Sequence, residues 1–471
     1  MLFNTIDFAV FLPVILVLYY AIPHKFRWIL LLIASYYFYM CWKVEYVFLI
    51  VISTLIDYLA GLMMERASDR KSRLPWLVAS LITNLGFLFF FKYYNFVSLN
   101  LNNLFHATGL STQLPLMDFL LPVGISFYTF QTLSYSIDVY YGRQKAEKHL
   151  GYFALYVSYF PQLVAGPIER FSRLTPQLKT QHPFSSDNLI KGLRLILYGL
   201  FIKMVIADNI SGIVDQVYQT PEHFSSLDIL KGLFFYSLQI YSDFYGYSVI
   251  AIGASLIMGI HLMDNFKTPY LAKSISEFWQ RWHISLSTWF RDYLYYPLGG
   301  NRVKISRWAF NIFVVFVVSG VWHGANWTFL IWGSLYGLVY LAERGINRFI
   351  NMDKECKPFS IRHLLLALKT FILVTVIWVF FRSQSFDEAL NIFRLLSHFD
   401  RQATDVILIP QYIWFLTIVF IISDLALYNE RFDGWLSKVH VVGRWLIYAF
   451  LIFSIVVYAG VENFPFIYFQ F

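Results

Sequence analysis

The sequence predicts an all-α polytopic membrane protein, and three observations set that fold class. Hydrophobic residues fill 58% of the 471 positions and charged residues only 14%; apolar runs recur from one end of the chain to the other; and basic residues gather in the short loops between them. A bilayer core about 30 Å thick takes about 20 apolar residues as a helix, and lipid offers no partner to an unpaired backbone group, so runs of this length fold as helices. No stretch is polar enough to make a soluble domain, so residues 1–471 read as one transmembrane domain with a motif-bearing core at about 160–345. The 33 Tyr, 48 Phe and 14 Trp suit interfacial belts and a wide internal cavity.

Taken in order, residues 6–22, 28–42 and 44–64 are the first three predicted spans. Met1 to Ile22 has no basic leader and no small-residue cleavage site, which makes it a retained span rather than a signal peptide. Pro23 to Arg27 and the basic loop Glu65 to Arg73 fall on one side, the cytoplasmic side by the positive-inside rule, so the N-terminus is expected outside. The chain is then expected to cross its membrane many times. A span at 75–97, a polar connector with Asn100, Asn102 and Asn103, and a span at 119–141 return the chain to the basic loop Gly142 to Lys148. Between 150 and 185 an apolar piece of about 15 residues runs into Pro161 and Pro167, too short and broken for a simple crossing, and a re-entrant segment is expected. Spans resume at 189–215, 228–260, 307–322, 325–346, 361–382, 410–428 and 441–460, for roughly ten to twelve crossings in all.

Residues 274–296 carry Glu277, Arg281, His283, Arg291 and Asp292, so this is no lipid-facing span. Phe278, Trp282, Leu286, Trp289 and Tyr293 recur at helical spacing on one face, with Glu277, Arg281, Ser285, Thr288 and Asp292 on another. The pattern predicts an in-plane or protein-buried amphipathic helix stopped by Pro297 and Gly299-Gly300.

Several function classes drop out. The formal net charge is +8, but the basic loops are too short to track a nucleic-acid backbone. Cys41 and Cys356 stand alone, so neither a disulfide framework nor a zinc site is indicated, and no metal is expected. DxD, GxG, P-loop and HExxH patterns are missing, which counts against metal-dependent glycosyl transfer, nucleotide-driven transport and zinc hydrolysis. No inverted repeat is visible, against the common plan of secondary transporters.

The chemistry concentrates around Ser319-Gly-Val-Trp-His-Gly-Ala-Asn-Trp327. A histidine inside an apolar run needs a hydrogen bond or a reaction to justify it. A neutral His323 is the form a general base uses; equally, Gly320 and Gly324 have the spacing that packs helices closely, where a histidine can bond across the interface. Asn326 has the group to stabilise an oxyanion or to tie two helices together. His283 can bind an anion, orient a catalytic group or sit at a charged interface. Arg281, Arg291, Arg302 and Lys304 form a basic neighbourhood suited to coenzyme phosphates or to a positive-inside anchor.

Four stretches carry a resemblance to a known family: Ala165-Gly-Pro-Ile-Glu-Arg170, Glu277-Phe-Trp-Gln-Arg-Trp-His-Ile-Ser-Leu-Ser-Thr-Trp-Phe-Arg-Asp-Tyr-Leu294, Pro297-Leu-Gly-Gly-Asn-Arg302 and Gly320-Val-Trp-His-Gly-Ala-Asn-Trp327. Together they resemble the membrane-bound O-acyltransferase family, in particular its bacterial branch that acetylates alginate, and the likeness runs through most of the chain. The resemblance implies a ring of tilted helices around a central tunnel, with His323 at the family's near-invariant histidine and His283 at the second. It also implies acetyl transfer from cytoplasmic acetyl-CoA, a donor substrate rather than a resident cofactor, toward an exported polysaccharide, through an extracytoplasmic acetyltransferase or relay partner. Tyr241 to Gly253 resembles a further family pattern, keeping its first acid as Asp243 but placing Tyr245 and Val249 where the family has serine and aspartate. Asp243 is then expected to orient a catalytic histidine or to cap a polar network. The aromatic C-terminus resembles the ending of these proteins and the tyrosine-bearing tail of a partner peptide in D-alanylation systems, which makes Tyr468 either an acyl relay or an interfacial anchor. Two rival readings differ in chemistry: a transporter of polysaccharide or lipid-linked precursor would consume no thioester, and a non-catalytic scaffold would need no functional His323.

Overall fold

A computed structural model of the chain describes residues 1–164, 166–350, 356–399, 403–460 and 466, and no strand occurs among them. The helices are α1 (Ile6–Ala21), α2 (His24–Met40), α3 (Val47–Arg66), α4 (Arg70–Ala107), α5 (Ile125–Tyr140), α6 (Leu150–Ser158), α7 (Phe160–Leu163), α8 (Phe171–Lys179), α9 (Ser186–Leu200), α10 (Asp208–Gln219) and α11 (Ser226–Ile257). They continue with α12 (Ile275–Arg281), α13 (Ile284–Phe290), α14 (Ile305–His323), α15 (Trp327–Ile350), α16 (Ile361–Arg382), α17 (Phe386–Leu396), α18 (Gln411–Ala426), α19 (Phe432–Lys438) and α20 (Val441–Tyr458). Among the described residues six helices are long and apolar enough to cross a membrane, and α1 and α18 are apolar but shorter. The remaining predicted crossings fall on helices that are short, broken or amphipathic.

The chain forms two compact units, one of residues 1–193 and 251–263, the other of 194–250 and 264–471. In the first, α3, α4 and α5 share a buried polar knot. Asn84 of α4 donates to both oxygens of Asp57 on α3, at 3.0 and 2.8 Å, and accepts from Ser53 at 2.7 Å and from Thr132 of α5 at 3.0 Å. Where lipid cannot drive helices together by hydrophobic contrast, interhelical hydrogen bonds of this kind hold the register.

The asparagine-rich stretch is not the predicted connector, because α4 continues through it to Ala107. Asn95 and Asn102, two turns apart, each present an amide to an extended segment: Asn102 donates to Leu114 O at 3.0 Å and accepts from its N–H at 2.7 Å, and Asn95 pairs likewise with Met117 at 2.7 and 2.9 Å. The helix side chains thus satisfy backbone groups that a strand partner would otherwise bond. The next helix, α5, begins only at Ile125, after Gly124 at φ 75°, and not at residue 119.

The segment between 150 and 185 is broken, as its prolines predict, into α6, α7 and α8. Ala165 lies outside the described residues. Glu169 is fully buried in the turn that follows and accepts from the Met263 N–H at 2.5 Å, with Arg173 3.7 Å away. Burial pushes its carboxyl up to about 7, with Arg173 opposing the shift. A carboxyl raised above its unfolded value stabilises fully below that value and loses this contribution as pH rises through about 7. The melting temperature in detergent is therefore expected to fall between roughly pH 5 and pH 8, and to fall less in Glu169→Gln. Parallel profiles for the two proteins would show that Glu169 does not titrate in this window.

Candidate active site

The second unit holds both histidines singled out by sequence, and it builds their surroundings from distant pieces of chain. The stretch 274–296 is not one helix. It breaks at His283, which sits at φ 43° and ψ 55° between α12 and α13. A left-handed backbone is uncommon for a residue with a side chain and persists only where surrounding contacts impose it. Here the contact is Asn265. Its backbone carbonyl accepts from Ile284 N at 2.9 Å, and its side-chain oxygen accepts from Ser285 Oγ at 2.9 Å and pairs with His283 Nδ1 at 3.1 Å. With an amide oxygen as acceptor, Nδ1 carries the proton and the ring lone pair lies on Nε2. Asn265 is held in turn by its Nδ2, which donates to Ser248 Oγ on α11 at 3.2 Å. His283 is fully buried, and desolvation pushes its imidazole down to about 3, so it stays neutral across the physiological range.

The start of α12 is fixed by its own sequence and by one distant acid. Ser274 caps it by accepting from Glu277 N at 3.1 Å, while Glu277 accepts from Lys273 N at 3.0 Å. Glu343 of α15 accepts from Ile275 N at 2.7 Å. Phe278, Trp282, Leu286 and Trp289 of the predicted apolar stripe are buried on both sides of the break, while Tyr293 is only partly buried.

His323 is the last residue of α14 and is buried. The glycines beside it serve close packing between α14 and α15. A Cβ on Gly320 would lie 2.2 Å from the Phe329 carbonyl oxygen, one on Gly333 2.3 Å from that of Phe316, and one on Gly324 2.0 Å from the Phe329 ring. This approach seats the His323 ring in an aromatic box, with centroids 4.9 Å from Trp322, 5.0 Å from Trp332 and 5.3 Å from Phe381. The Trp322 ring also lies 6.2 Å from His283, so one indole contacts both histidines.

The other predicted residues are placed differently. Asn326 caps α15: its Oδ1 accepts from Thr328 N at 3.1 Å and its Nδ2 donates to Gln384 O at 2.6 Å. That is the helix-tying role, and Trp327 beside it is half exposed. Arg281 is built into the protein rather than held out for phosphates. It donates to Glu277 at 2.9 Å, Lys267 O at 3.0 Å, Asn429 at 3.1 Å and Tyr428 at 3.1 Å. Arg291 pairs with Asp292 at 2.9 Å and is half exposed, while Arg302 and Lys304 are exposed ahead of α14. At 1.5 Å per residue, the 19 residues of α14 put this basic end about 28 Å from His323. The structure therefore does not bring the basic cluster and that histidine together.

Asp243 meets Lys203 at 2.6 Å, and Lys203 also donates to Asp208 at 2.7 Å. Its placement is the polar-network alternative, on the same helix as Phe244, whose ring lies 4.7 Å from His283. Sequence reading passed over Lys203, although a cation inside Leu200-Phe-Ile-Lys-Met-Val-Ile206 was the available signal. It also passed over Asn265, which nothing local marks. Val249, where the resembling pattern has an acid, is buried. Tyr468 lies outside the described residues.

A sequence profile of the membrane-bound O-acyltransferase family matches residues 148–386, a range that includes both histidines, the break at His283 and the aromatic box. The chain belongs to the membrane-bound O-acyltransferase family. A probable alginate O-acetylase, AlgI, of Azotobacter vinelandii is 40% identical over 390 residues, covering 83% of this chain and 76% of that one. The corresponding protein of Pseudomonas putida is 38% identical and covers 98% of each chain. A peptidoglycan O-acetyltransferase of Helicobacter pylori is 35% identical over 84% of this chain and 79% of its own. This membrane-bound O-acyltransferase is thus a multi-pass membrane enzyme that transfers an acyl group.

Proposed function

We propose that this acyltransferase moves an acetyl group from cytoplasmic acetyl-CoA across the bacterial inner membrane, for O-acetylation of an exported cell-surface polysaccharide, with a partner protein completing the transfer. The observation that carries this reading is His323, buried at the end of α14 in an aromatic box and linked through Trp322 to a neutral, oriented His283. The names of the relatives support the acetyl group and the polysaccharide acceptor. Water is scarce in such a box, which favours transfer to a bound hydroxyl over hydrolysis of the thioester.

In the proposed reaction His323 takes the proton of the attacking hydroxyl as its oxygen bonds to the thioester carbonyl carbon. The tetrahedral intermediate collapses, the C–S bond breaks, and the thiolate leaves with the proton from His323. His283 positions the reacting groups through the Trp322 ring that both histidines meet. Arg291, Arg302 and Lys304 keep a role remote from the chemistry, in drawing the polyanionic coenzyme to the membrane surface. Asn326 and Arg281, with their hydrogen bonds committed to the fold, have no part in the reaction.

The test uses inverted membrane vesicles from cells carrying this chain, supplied with acetyl-labelled acetyl-CoA. Coenzyme release together with label in alkali-labile ester on exported polysaccharide is the expected result. Failure of acetyl-CoA alone to give either, while another acyl thioester gives both, would replace the donor. Intact polysaccharide movement without thioester consumption would favour the transporter.

A further inference from the structure

The reading of His323 as base leaves the carbonyl oxygen of the thioester without an assigned partner, and two buried donors on α15 answer that need. We infer that Trp332 Nε1 and Thr328 Oγ1 bind this oxygen as it gains charge. The inference rests on the proposed acyl-transfer reading.

Both side chains are fully buried, and neither polar atom has a hydrogen-bond partner among the described residues. Nearly all buried donors in folded proteins are bonded, so each exception asks for an explanation. The same unit shows what satisfaction looks like. Thr288, Ser334 and Thr370 each bond the carbonyl four residues back, at 2.8, 2.8 and 3.0 Å, and the Trp308 indole N–H donates to Tyr295 at 3.1 Å. Thr328 stands in the first turn of α15, where four residues back is Gly324, outside the helix, so the usual carbonyl is missing. Asn326 takes up the Thr328 backbone N–H but not its hydroxyl.

Position supplies the second half. Thr328 and Trp332 are four residues apart on one helix and so share a face. That face meets His323, since the Trp332 ring is 5.0 Å from the imidazole and stands nearly perpendicular to it, at 79°. Two neutral donors one turn apart beside the base are what a developing oxyanion uses. When the hydroxyl oxygen bonds to the carbonyl carbon, the C=O pair moves onto oxygen and the two donors hold it. When the C–S bond breaks, the pair returns and the thiolate takes the proton carried by His323. The assignment also moves the oxyanion role from Asn326, whose amide is spent on capping, to the next turn of the same helix.

The experiment compares Trp332→Phe, Thr328→Val and Thr328→Ser with wild type and His323→Ala, in the labelled acetyl-CoA vesicle assay, with melting temperatures of the purified proteins. Thr328→Val keeps shape and removes the donor, whereas Trp332→Phe removes the donor together with part of the buried ring, a packing loss that its melting temperature reads separately; each is expected to lower kcat about a hundredfold with little change in KM. Thr328→Ser keeps the hydroxyl and is expected to restore most of the rate, which a packing role would not predict. Wild-type kcat in Trp332→Phe and Thr328→Val, with His323→Ala inactive, would overturn the oxyanion assignment and leave the base in place. Equal losses in Thr328→Val and Thr328→Ser would overturn it for Thr328. Activity in His323→Ala would instead remove the reading on which the inference stands.

Discussion

His323→Ala is expected to lose acyl transfer by about a thousandfold while remaining folded and inserted. A positioned general base contributes about 10²–10⁴ in rate. His283 is fully buried, pushed down to about 3, and its Nδ1 is tied to Asn265, so it is a poor base for a hydroxyl. The ring of His323 packs against Trp322, Trp332 and Phe381, so alanine leaves a gap in the box. His323→Gln, which keeps polar bulk, separates the two effects: both variants should be equally inactive, with His323→Gln melting nearer wild type. Turnover within about tenfold of wild type in either variant would take the residue out of the mechanism.

The largest expected loss of stability belongs to Lys203→Met. Lys203 is 1% exposed and lies in the wide turn Phe201–Ala207 that joins α9 to α10, between Asp208 at 2.7 Å and Asp243 at 2.6 Å. The Tyr247 ring lies 5.6 Å from its ammonium. Methionine fills the same space but removes the positive charge facing two buried carboxylates, and breaking a buried ion pair from one side costs about 3–5 kcal/mol. Neutralising all three, as Lys203→Met with Asp208→Asn and Asp243→Asn, should recover much of that loss. A single variant that melts like wild type, or a triple variant no better than the single, would show that the pairings do not carry the stability assigned to them. The triple variant also tests Asp243. If it remains active, the acid acts through packing and charge balance, not through a histidine.

Much of the candidate site was legible because its signals are local. A histidine between glycines and tryptophans stands out in an apolar run, and the Glu277 to Leu294 stretch declares itself by carrying charge at helical spacing. The break at His283 was not legible. Phe278 and Trp282 keep their spacing on one side of it, Leu286 and Trp289 on the other, so the periodic pattern hides a single left-handed residue. Arg281 was open to two readings, a phosphate ligand or an anchor, and its long-range bonds were not legible. Its pairing with Glu277 is one helical turn away and readable, but Asn429 and Tyr428 lie nearly 150 residues further on, and they turn an apparent phosphate ligand into a structural tie. Asn326 was open to two readings, and only the placement of Gln384 opposite it selects the cap.

The sequence by itself determined the all-helical membrane class and the chemical family, and it singled out the two histidines as candidates, because hydropathy and motif are properties of neighbours along the chain. It did not determine where α4 ends, that α12 and α13 are separate, or which polar side chains are already committed. Those are settled by groups that must find hydrogen-bond partners once water is gone. Among buried groups, Lys203 finds two acids and Asn265 finds His283 and Ser285. In a buried setting an unmet polar group costs more than a weak local preference returns, so long-range partners decide these points and tertiary structure alone reveals them.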